Sequence, residues 1–174
     1  MSKRLSKDAL DLAGEFAVAS ELLLRGYSVS ITMGKYKQTD IFVEKDGKVI
    51  KVQVKAKQGK VWRGIRGIKG KNTLLIFVDF ENGKRDFYIL DEKDWQYLLR
   101  EHYIFRKEKG WILLKEGHIP VAKDGYEGLV LSPADVRIHK NMWKKIDFLA
   151  GDVKPAGRIG KMRPLEFLRT IKEI

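Results

Sequence analysis

The first part of the chain has the apolar spacing of an amphipathic helix. Four apolar residues recur at intervals of three or four and are expected to face the core: Leu12, Phe16, Ala19 and Leu23. The predicted helix covers residues 7–25, with Ser6 as its N-cap and Gly26 after its last turn. Glu15 lies on the shoulder of this apolar stripe, where a carboxylate is most often an ordinary surface residue.

Apolar and polar residues alternate after this helix, which predicts a series of short strands. The first covers residues 27–32, and residues 40–44 and 49–55 form the next two, separated by Asp46 and Gly47. Asp-Gly between alternating segments is a strong signal for a two-residue type I′ hairpin turn. With Asp46 and Gly47 as the turn residues, Asp40 lies directly across from Gln53.

This register gives the predicted hairpin one apolar and one polar face, because opposed residues share a face. The apolar face is expected to pack on the core and carries Ile41, Val43, Ile50, Val52 and Val54. The polar face carries Asp40, Phe42, Lys51, Gln53 and Lys55. The hairpin therefore gathers a carboxylate, an amide and an ammonium group within roughly 5–8 Å of one another.

The rest of the chain predicts a further hairpin and several helices. Strands are expected at residues 73–80 and 85–90, and short strands or loops at 111–121 and 126–131. Helices are expected at residues 94–103, 134–149 and 164–174. The chain is thus an α/β protein, with a core formed by residues 1–110. Residues 111–174 form a C-terminal extension that packs on the same domain.

Composition points to an anionic partner and excludes several classes of protein. The chain has 174 residues and a net charge of +12 with a pI near 9.8, which favours nucleic acid or, less often, an anionic membrane. It has no cysteine, which excludes disulfide scaffolds and thiolate zinc sites, and its three histidines lack metal-ligand spacing. No apolar segment approaches a membrane span, and acidic residues near the N-terminus argue against a secretory signal, so we expect a cytoplasmic protein.

The polar face of the hairpin suits the hydrolysis of a phosphodiester bond, which needs a hard cation and a positioned water. Asp40 can supply an anionic oxygen to Mg²⁺, Gln53 a neutral one, and the backbone carbonyl of Val54 is within reach. Lys55 can hold the attacking water and stabilise the phosphate, and Glu15 can reach the metal through a water if its helix packs here. The alternative is a half-exposed hairpin whose polar face only meets solvent.

At these residues the sequence resembles the PD-(D/E)XK nuclease superfamily. Asp40 is followed thirteen positions later by Gln53-Val54-Lys55, and Gly14-Glu15 lies on the preceding helix. That helix resembles the archaeal Holliday-junction resolvase branch, and the Gln-containing strand resembles a small endonuclease branch. The resemblance implies a restriction-endonuclease-like core, in which helices flank a central mixed sheet with hairpins.

The resemblance also implies a role for each residue of the motif. Asp40 and Gln53 would be metal ligands for Mg²⁺ or Mn²⁺, Lys55 the catalytic lysine and Glu15 the helix-borne acid. Thr39 replaces the proline of the family motif, which affects only the turn shape. Gln53 replaces an acidic residue, which removes one negative charge and weakens metal affinity.

A basic segment leaves directly from the Lys55 strand. Residues 55–78 contain seven basic residues and no acidic ones, with glycines between them. The segment is either a loop that clamps a nucleic-acid strand or a solvated loop, and Trp62 either stacks on a base or packs on the core. The candidate nucleic-acid contacts are Lys35, Lys37, Lys57, Lys60, Trp62, Arg63, Arg66, Lys69 and Lys71.

The function expected from these features is a metal-dependent DNA endonuclease that cuts at a particular structure or site, such as a junction resolvase, a restriction enzyme or a homing enzyme. Cutting both strands usually needs two active sites, so a homodimer or higher homo-oligomer is expected. The main alternative is a non-catalytic nucleic-acid-binding protein on a degenerate nuclease fold, with Gln53 as the mark of lost activity. A third candidate is an RNA-processing factor.

Overall fold

The computed structural model describes residues 4–34, 39–68, 70–107, 112–113, 120–122 and 124–151, and only the backbone at 103–107, 112–113 and 120. The helices and strands, in chain order, are α1 (Lys7–Leu24), β1 (Ser28–Ile31), β2 (Ile41–Lys45), β3 (Lys48–Lys57), β4 (Trp62–Ile65), β5 (Thr73–Asp79), β6 (Asp86–Leu90), α2 (Glu92–Lys107), β7 (Ile112–Leu113), β8 (Pro120–Val121), β9 (Leu129–Leu131) and α3 (Lys145–Ala150). Within these ranges no helix is both long and apolar enough to cross a lipid bilayer.

A five-stranded mixed sheet forms the centre of the fold. Its strand order is β1-β2-β3-β5-β6, and only β3 and β5 run parallel. Helices α1 and α3 pack on one face, which we call the helical face. The opposite face is covered over β5 and β6 by α2 and by a small β4-β9 sheet. The predicted α/β architecture is confirmed.

The predicted hairpin between β2 and β3 is present, with the predicted register from the pair Ile41 and Val52 to the pair Lys45 and Lys48; Asp40 precedes β2, and its amide donates to the Val52 carbonyl at 3.0 Å. Asp46 and Gly47 have φ values of 50° and 73°, as a type I′ turn requires at both central positions. Ile41 lies opposite Val52, and Val43 opposite Ile50. These four side chains are buried beneath the helices, which confirms the apolar face of the hairpin.

Helix α1 begins as predicted, but it turns a different side to the sheet. Ser6 is the N-cap, and its hydroxyl accepts a hydrogen bond from the Ala9 amide at 3.3 Å. Leu12, Phe16 and Leu23, expected to face the core, are 39%, 52% and 58% exposed. Of the predicted apolar stripe only Ala19 is buried, and the prediction for the other three residues is wrong.

The reason is the close approach of α1 to β3. The buried residues of α1 are mostly small: Gly14, Glu15, Ala17, Val18, Ala19 and Leu22. At Gly14, an added Cβ would lie 2.7 Å from the Cβ of Ala56 and 3.3 Å from Val54 Cγ1. A helix this close has no room for a phenylalanine against the sheet, so the bulky stripe faces outward.

Part of the basic segment belongs to the core. Residues 62–65 form β4, and Trp62 is 2% exposed, with its ring 4.9 Å from that of Phe77. Its indole N–H donates to the Val78 carbonyl at 3.2 Å. Of the two alternatives for Trp62, the structure has the core packing, so its ring is not exposed for stacking on a base.

Lys57 is also buried, which differs from the expectation of a nucleic-acid contact. Its side chain is 3% exposed, and Nζ donates to Asp79 Oδ1 at 2.6 Å and to the Gly59 carbonyl at 2.8 Å. The ammonium group also lies 4.9 Å from the centre of the Trp62 ring. These contacts hold the β3–β4 connection against the end of β5, so Lys57 acts structurally here.

The prediction of one helix over residues 134–149 is wrong. The segment contains a short 3₁₀ turn at Arg137–His139 and the six-residue helix α3. Between them Asn141 has a φ of 54°, and its amide donates to the Phe87 carbonyl at 2.9 Å on the edge of β6. Pairing with the sheet edge thus replaces helical pairing. Residues 164–174 lie outside the described ranges, and the domain boundary near residue 110 stays a prediction.

Gly14→Ala tests the close packing of α1 on β3. The new methyl group lies too near Ala56, so we expect a net loss of about 1–3 kcal/mol in unfolding free energy despite the better helix propensity of alanine. Urea denaturation followed by circular dichroism measures the change. In the double variant Gly14→Ala/Ala56→Gly the contact disappears and part of the loss is recovered. Equal losses with and without the Ala56 change would contradict this packing.

Lys57→Met tests the buried ion pair. The change leaves the Asp79 carboxylate without its cation in the interior, so the unfolding free energy falls by about 3–5 kcal/mol. The exposed Lys60→Met is the control and changes stability by less than about 0.5 kcal/mol. A stable Lys57→Met protein that has lost only DNA affinity would restore Lys57 as a surface contact.

Candidate functional site

The start of β2 and the end of β3 form the corner where the motif residues meet. The carboxylate of Asp40 accepts a hydrogen bond from the Val54 amide at 2.7 Å, and the Asp40 amide donates to the Val52 carbonyl at 3.0 Å. In a strand, the N–H and C=O of one residue point to the same side. The Val54 carbonyl is therefore directed toward the side on which Asp40 lies.

Gln53 and Lys55 project from the face of the sheet opposite to α1. Gln53 lies beside Leu75 and Lys55 beside Phe77 in the parallel β3–β5 register. Gln53 is partly buried and Lys55 is exposed. Because β4 and α2 cover only the other half of this face, the polar side chains of the hairpin stay accessible.

A cleft of about 330 Å³ opens over this polar corner, and we call it the motif cleft. It lies between the β2–β3 hairpin and the edge of β4, with Leu75 at its base. Its lining residues are Thr39, Asp40, Lys51, Gln53, Lys55, residues 64–67 and Leu75. Three of the four residues predicted to carry the chemistry thus border one concave space.

The oxygen donors of this corner suit a hard cation but include a single carboxylate. Across the described parts of the chain, no group of three or more His, Asp or Glu side chains could hold a metal ion. Asp40, the Gln53 amide and the Val54 carbonyl are the kinds of oxygen that Mg²⁺ prefers, and Mg²⁺ commonly binds through one or two carboxylates together with waters and substrate phosphates. The donor set therefore fits a Mg²⁺ or Mn²⁺ ion shared with a phosphate.

The acidic residue of α1 that borders the site is Asp11, which the sequence reasoning missed. Asp11 and Lys55 line the same space, and the charges of Lys55 and Asp40 both act on the Asp11 carboxyl. Glu15 is buried and lies one helical turn further along α1, but it lines neither the motif cleft nor the neighbouring one. The spacing of four residues before Glu15 was the available signal for Asp11.

The Asp11 carboxyl has a perturbed proton affinity. Partial burial raises its pKa above the usual value for an aspartate, and the nearby ammonium groups of Lys55 and Lys7 oppose this rise. Asp40 adds to the rise through repulsion between like charges. A carboxyl with such neighbours is typical of a functional site, although ion-pair networks also perturb pKa values.

A second cleft, of about 610 Å³, lies on the other side of Lys55, and we call it the basic cleft. Its lining residues are Arg4, Lys7, Leu10, Asp11 and residues 55–65. Of the predicted nucleic-acid contacts, Lys60 and Arg63 are exposed here, and Arg66 lines the motif cleft. Arg4 and Lys7 in the basic cleft, and Lys51 in the motif cleft, were not predicted.

The other predicted contacts are placed differently. Lys71 is exposed but borders neither cleft, and Arg66 also pairs with Glu127 at 3.2 Å. Lys35, Lys37 and Lys69 lie outside the described residues. The basic segment therefore contributes to two clefts and to the core rather than forming one exposed loop.

Comparisons with known proteins agree with this fold and with the motif. Residues 6–76 match the family described as PD-(D/E)XK endonuclease. The structure of a bacterial homing endonuclease, I-Ssp6803I, is similar with a TM-score of 0.52 and 16% sequence identity, over 85% of this chain and 96% of that one. No curated protein matches the chain at a significant level.

The family match covers the segment that carries Asp40, Gln53 and Lys55, and the structural match extends over most of the chain. The mixed sheet flanked by helices is a restriction-endonuclease-like fold. In its motif this chain is therefore similar to the PD-(D/E)XK endonuclease family, and in its fold to a homing endonuclease.

Proposed function

We propose that this protein is a DNA endonuclease that hydrolyses phosphodiester bonds with the help of Mg²⁺ or Mn²⁺. The observation that carries the proposal is the convergence of Asp40, Gln53 and Lys55 on one accessible cleft. The hydrogen bond between Asp40 and the Val54 amide, at 2.7 Å, holds the carboxylate in place beside β3. The match of residues 6–76 to the PD-(D/E)XK endonuclease family and a net charge of +12 support DNA as the substrate.

In this proposal Asp40, the Gln53 side-chain oxygen and the Val54 carbonyl hold the cation. When bound, Mg²⁺ or Mn²⁺ would neutralise part of the charge that develops on the phosphate oxygens. Lys55 donates hydrogen bonds to the attacking water and to a phosphate oxygen. The water oxygen bonds to phosphorus and loses one proton to solvent, while the bond to the leaving sugar oxygen breaks and that oxygen takes up a proton from solvent.

The helix-borne acid expected from the family motif remains a proposal. Glu15 is buried on the helical face, whereas Asp11 borders the cleft that contains Lys55. We assign to Asp11 the electrostatic contact with Lys55 and keep Glu15 as a candidate for contact through water. Either carboxylate would supply part of the negative charge that is missing because residue 53 is glutamine.

The type of cleavage and the assembly also belong to the proposal. The candidate substrates are a branched junction and a specific duplex site, of the kind cut by restriction or homing enzymes. Cleavage of both strands usually needs two active sites, so we expect a homodimer or higher homo-oligomer. The cytoplasm is the expected location.

The second candidate function is non-catalytic DNA binding on this fold. The observation that favours it is the presence of a single acidic side chain, Asp40, on the lining of the motif cleft. Replacement of an acidic ligand by Gln53 removes one charge that would attract the cation. The two functions differ in one measurable property, which is metal-dependent cleavage.

Asp40→Asn and Lys55→Met test the catalytic assignment. Asparagine still accepts the hydrogen bond from Val54 but carries no charge, and methionine keeps the apolar stem of Lys55. Each variant should nick supercoiled plasmid about 10²–10³ times more slowly in Mg²⁺ or Mn²⁺, because each removes a charge that stabilises the transition state. Binding to the same DNA in EDTA should persist.

Two variants serve as controls. Glu44→Gln removes a carboxylate from β2, and Lys93→Met removes an ammonium group from the exposed side of α2. Both should cleave at the wild-type rate. Tight DNA binding by the wild-type protein with no cleavage in any divalent metal, on plasmid or four-way junction, would establish the non-catalytic alternative.

Gln53→Glu tests whether residue 53 is a metal ligand. An added negative charge next to a divalent cation should increase Mg²⁺ or Mn²⁺ affinity by about tenfold or more. Isothermal titration with metal alone measures the change without DNA. Gln96→Glu adds the same charge on α2 and should leave the affinity unchanged. An unchanged affinity in Gln53→Glu would remove Gln53 from the metal site.

A further inference from the structure

The basic cleft continues the motif cleft on the far side of Lys55. The two spaces share Lys55, Gly64 and Ile65 in their walls. A ligand that passes over Lys55 therefore extends from the oxygen donors around Asp40 into the basic cleft. This continuity is a property of the described surface and does not depend on any bound molecule.

The walls of the basic cleft are joined by contacts between residues far apart in sequence. The Leu5 amide donates to Gln58 Oε1 at 2.9 Å, which fastens the N-terminal segment to the end of β3. The β3–β4 connection is held to the core by buried Lys57, whose Nζ donates to the Gly59 carbonyl at 2.8 Å and to Asp79 Oδ1 at 2.6 Å. Arg4 and Lys7 are thereby held beside the β3–β4 connection.

The lining of the basic cleft carries an excess of positive charge. Five of its cationic residues are exposed: Arg4, Lys7, Lys55, Lys60 and Arg63. None of the five has an ion-pair partner among the described residues, whereas Lys45 and Lys145 on other surfaces each pair with aspartates. Asp11 is the single acidic residue on this exposed lining, because Lys57 is already neutralised by Asp79.

The excess charge and the shared wall favour a nucleic-acid backbone over a compact anion. Each strand of DNA places one phosphate about every 3.4 Å along the helix axis, so a strand with one phosphate at Lys55 has others nearby. A free phosphate would occupy only a small part of about 610 Å³. Side chains that contact the backbone position the substrate without reading its sequence.

We propose that the basic cleft binds the backbone phosphates of the strand that is cut, next to the scissile phosphate, and that Arg4 and Lys7 are contacts there. This inference rests on the proposed function, since it takes the motif cleft to hold the scissile phosphate. It adds the N-terminal segment to the substrate site. Arg4 and Lys7 position the strand, and Lys55 lies at the junction of the two clefts.

The test compares the double variant Arg4→Gln/Lys7→Gln with the control Lys84→Gln/Lys93→Gln. Both remove two exposed cations, so the net charge falls equally, but only the first changes the basic cleft. Anisotropy measurements in EDTA give the affinity for an oligonucleotide at several salt concentrations. The slope of log affinity against log salt should become shallower by about 1.4–1.8 in the Arg4/Lys7 variant, as expected for two lost phosphate contacts. The control should keep the wild-type slope.

Cleavage kinetics provide the second readout. With Mg²⁺, the KM of the Arg4/Lys7 variant for DNA should be about tenfold or more above that of the wild type, because each lost contact weakens binding by a factor of several. Its kcat should stay within about twofold of the wild-type value. Its thermal unfolding should match that of the wild type, because both side chains are exposed. Equal slopes and equal KM values in the two double variants would overturn the inference.

Two further binding experiments identify the anion that the basic cleft binds. Inorganic phosphate at equal ionic strength should compete weakly, and polyglutamate should bind the wild-type protein much more weakly than DNA does. Equal binding of polyglutamate, lost in the Arg4/Lys7 variant, would overturn the assignment to DNA. Wild-type cleavage without any effect at Arg4 or Lys7 would refute only this inference. DNA binding that depends on both residues without any cleavage would refute the proposed function and would leave the basic cleft as a site for the DNA backbone.

Discussion

The tight turn at Asp46 and Gly47 is the constraint on which the candidate site depends. Both residues adopt positive φ, and the turn aligns β2 with β3 so that Ile41 lies opposite Val52. Asp40 is thereby brought beside Val54, within 2.7 Å of its amide. A slip of one residue would turn every side chain of one strand to the other face and would separate Asp40 from the Gln53 and Lys55 side chains.

The sequence predicted correctly those features of the fold that are determined by interactions between neighbouring residues. The Ser6 cap, the type I′ turn and the β2–β3 register each follow from a few neighbouring residues, and all three are confirmed. The side of α1 that faces the sheet was predicted wrongly. The helix has one stripe of bulky apolar residues and one of small residues, and either could face the sheet. Which stripe packs on the sheet depends on Ala56 of β3, because only a glycine at position 14 fits beside it.

The basic segment illustrates the same limit for charge. In sequence, Lys57 and Lys60 are equivalent members of one cationic series, yet Lys57 is buried and Lys60 exposed. The difference arises from Asp79, 22 residues later, whose carboxylate lies where β5 ends beside β3. Asp11 and Arg4 were missed for a related reason, since the packing of α1 and the Leu5–Gln58 bond bring them to Lys55.

The electrostatic arrangement explains how a site with one motif carboxylate could still act on DNA under the proposed function. Asp40 alone would attract a divalent cation weakly, because Gln53 contributes a dipole rather than a charge. A phosphate held by the surrounding cations supplies the missing negative oxygen, and Mg²⁺ commonly completes its coordination with such phosphates. Metal and DNA would then bind cooperatively, each strengthening the binding of the other. In that arrangement the cations of the basic cleft contribute to metal binding indirectly, by holding the strand whose phosphate completes the site.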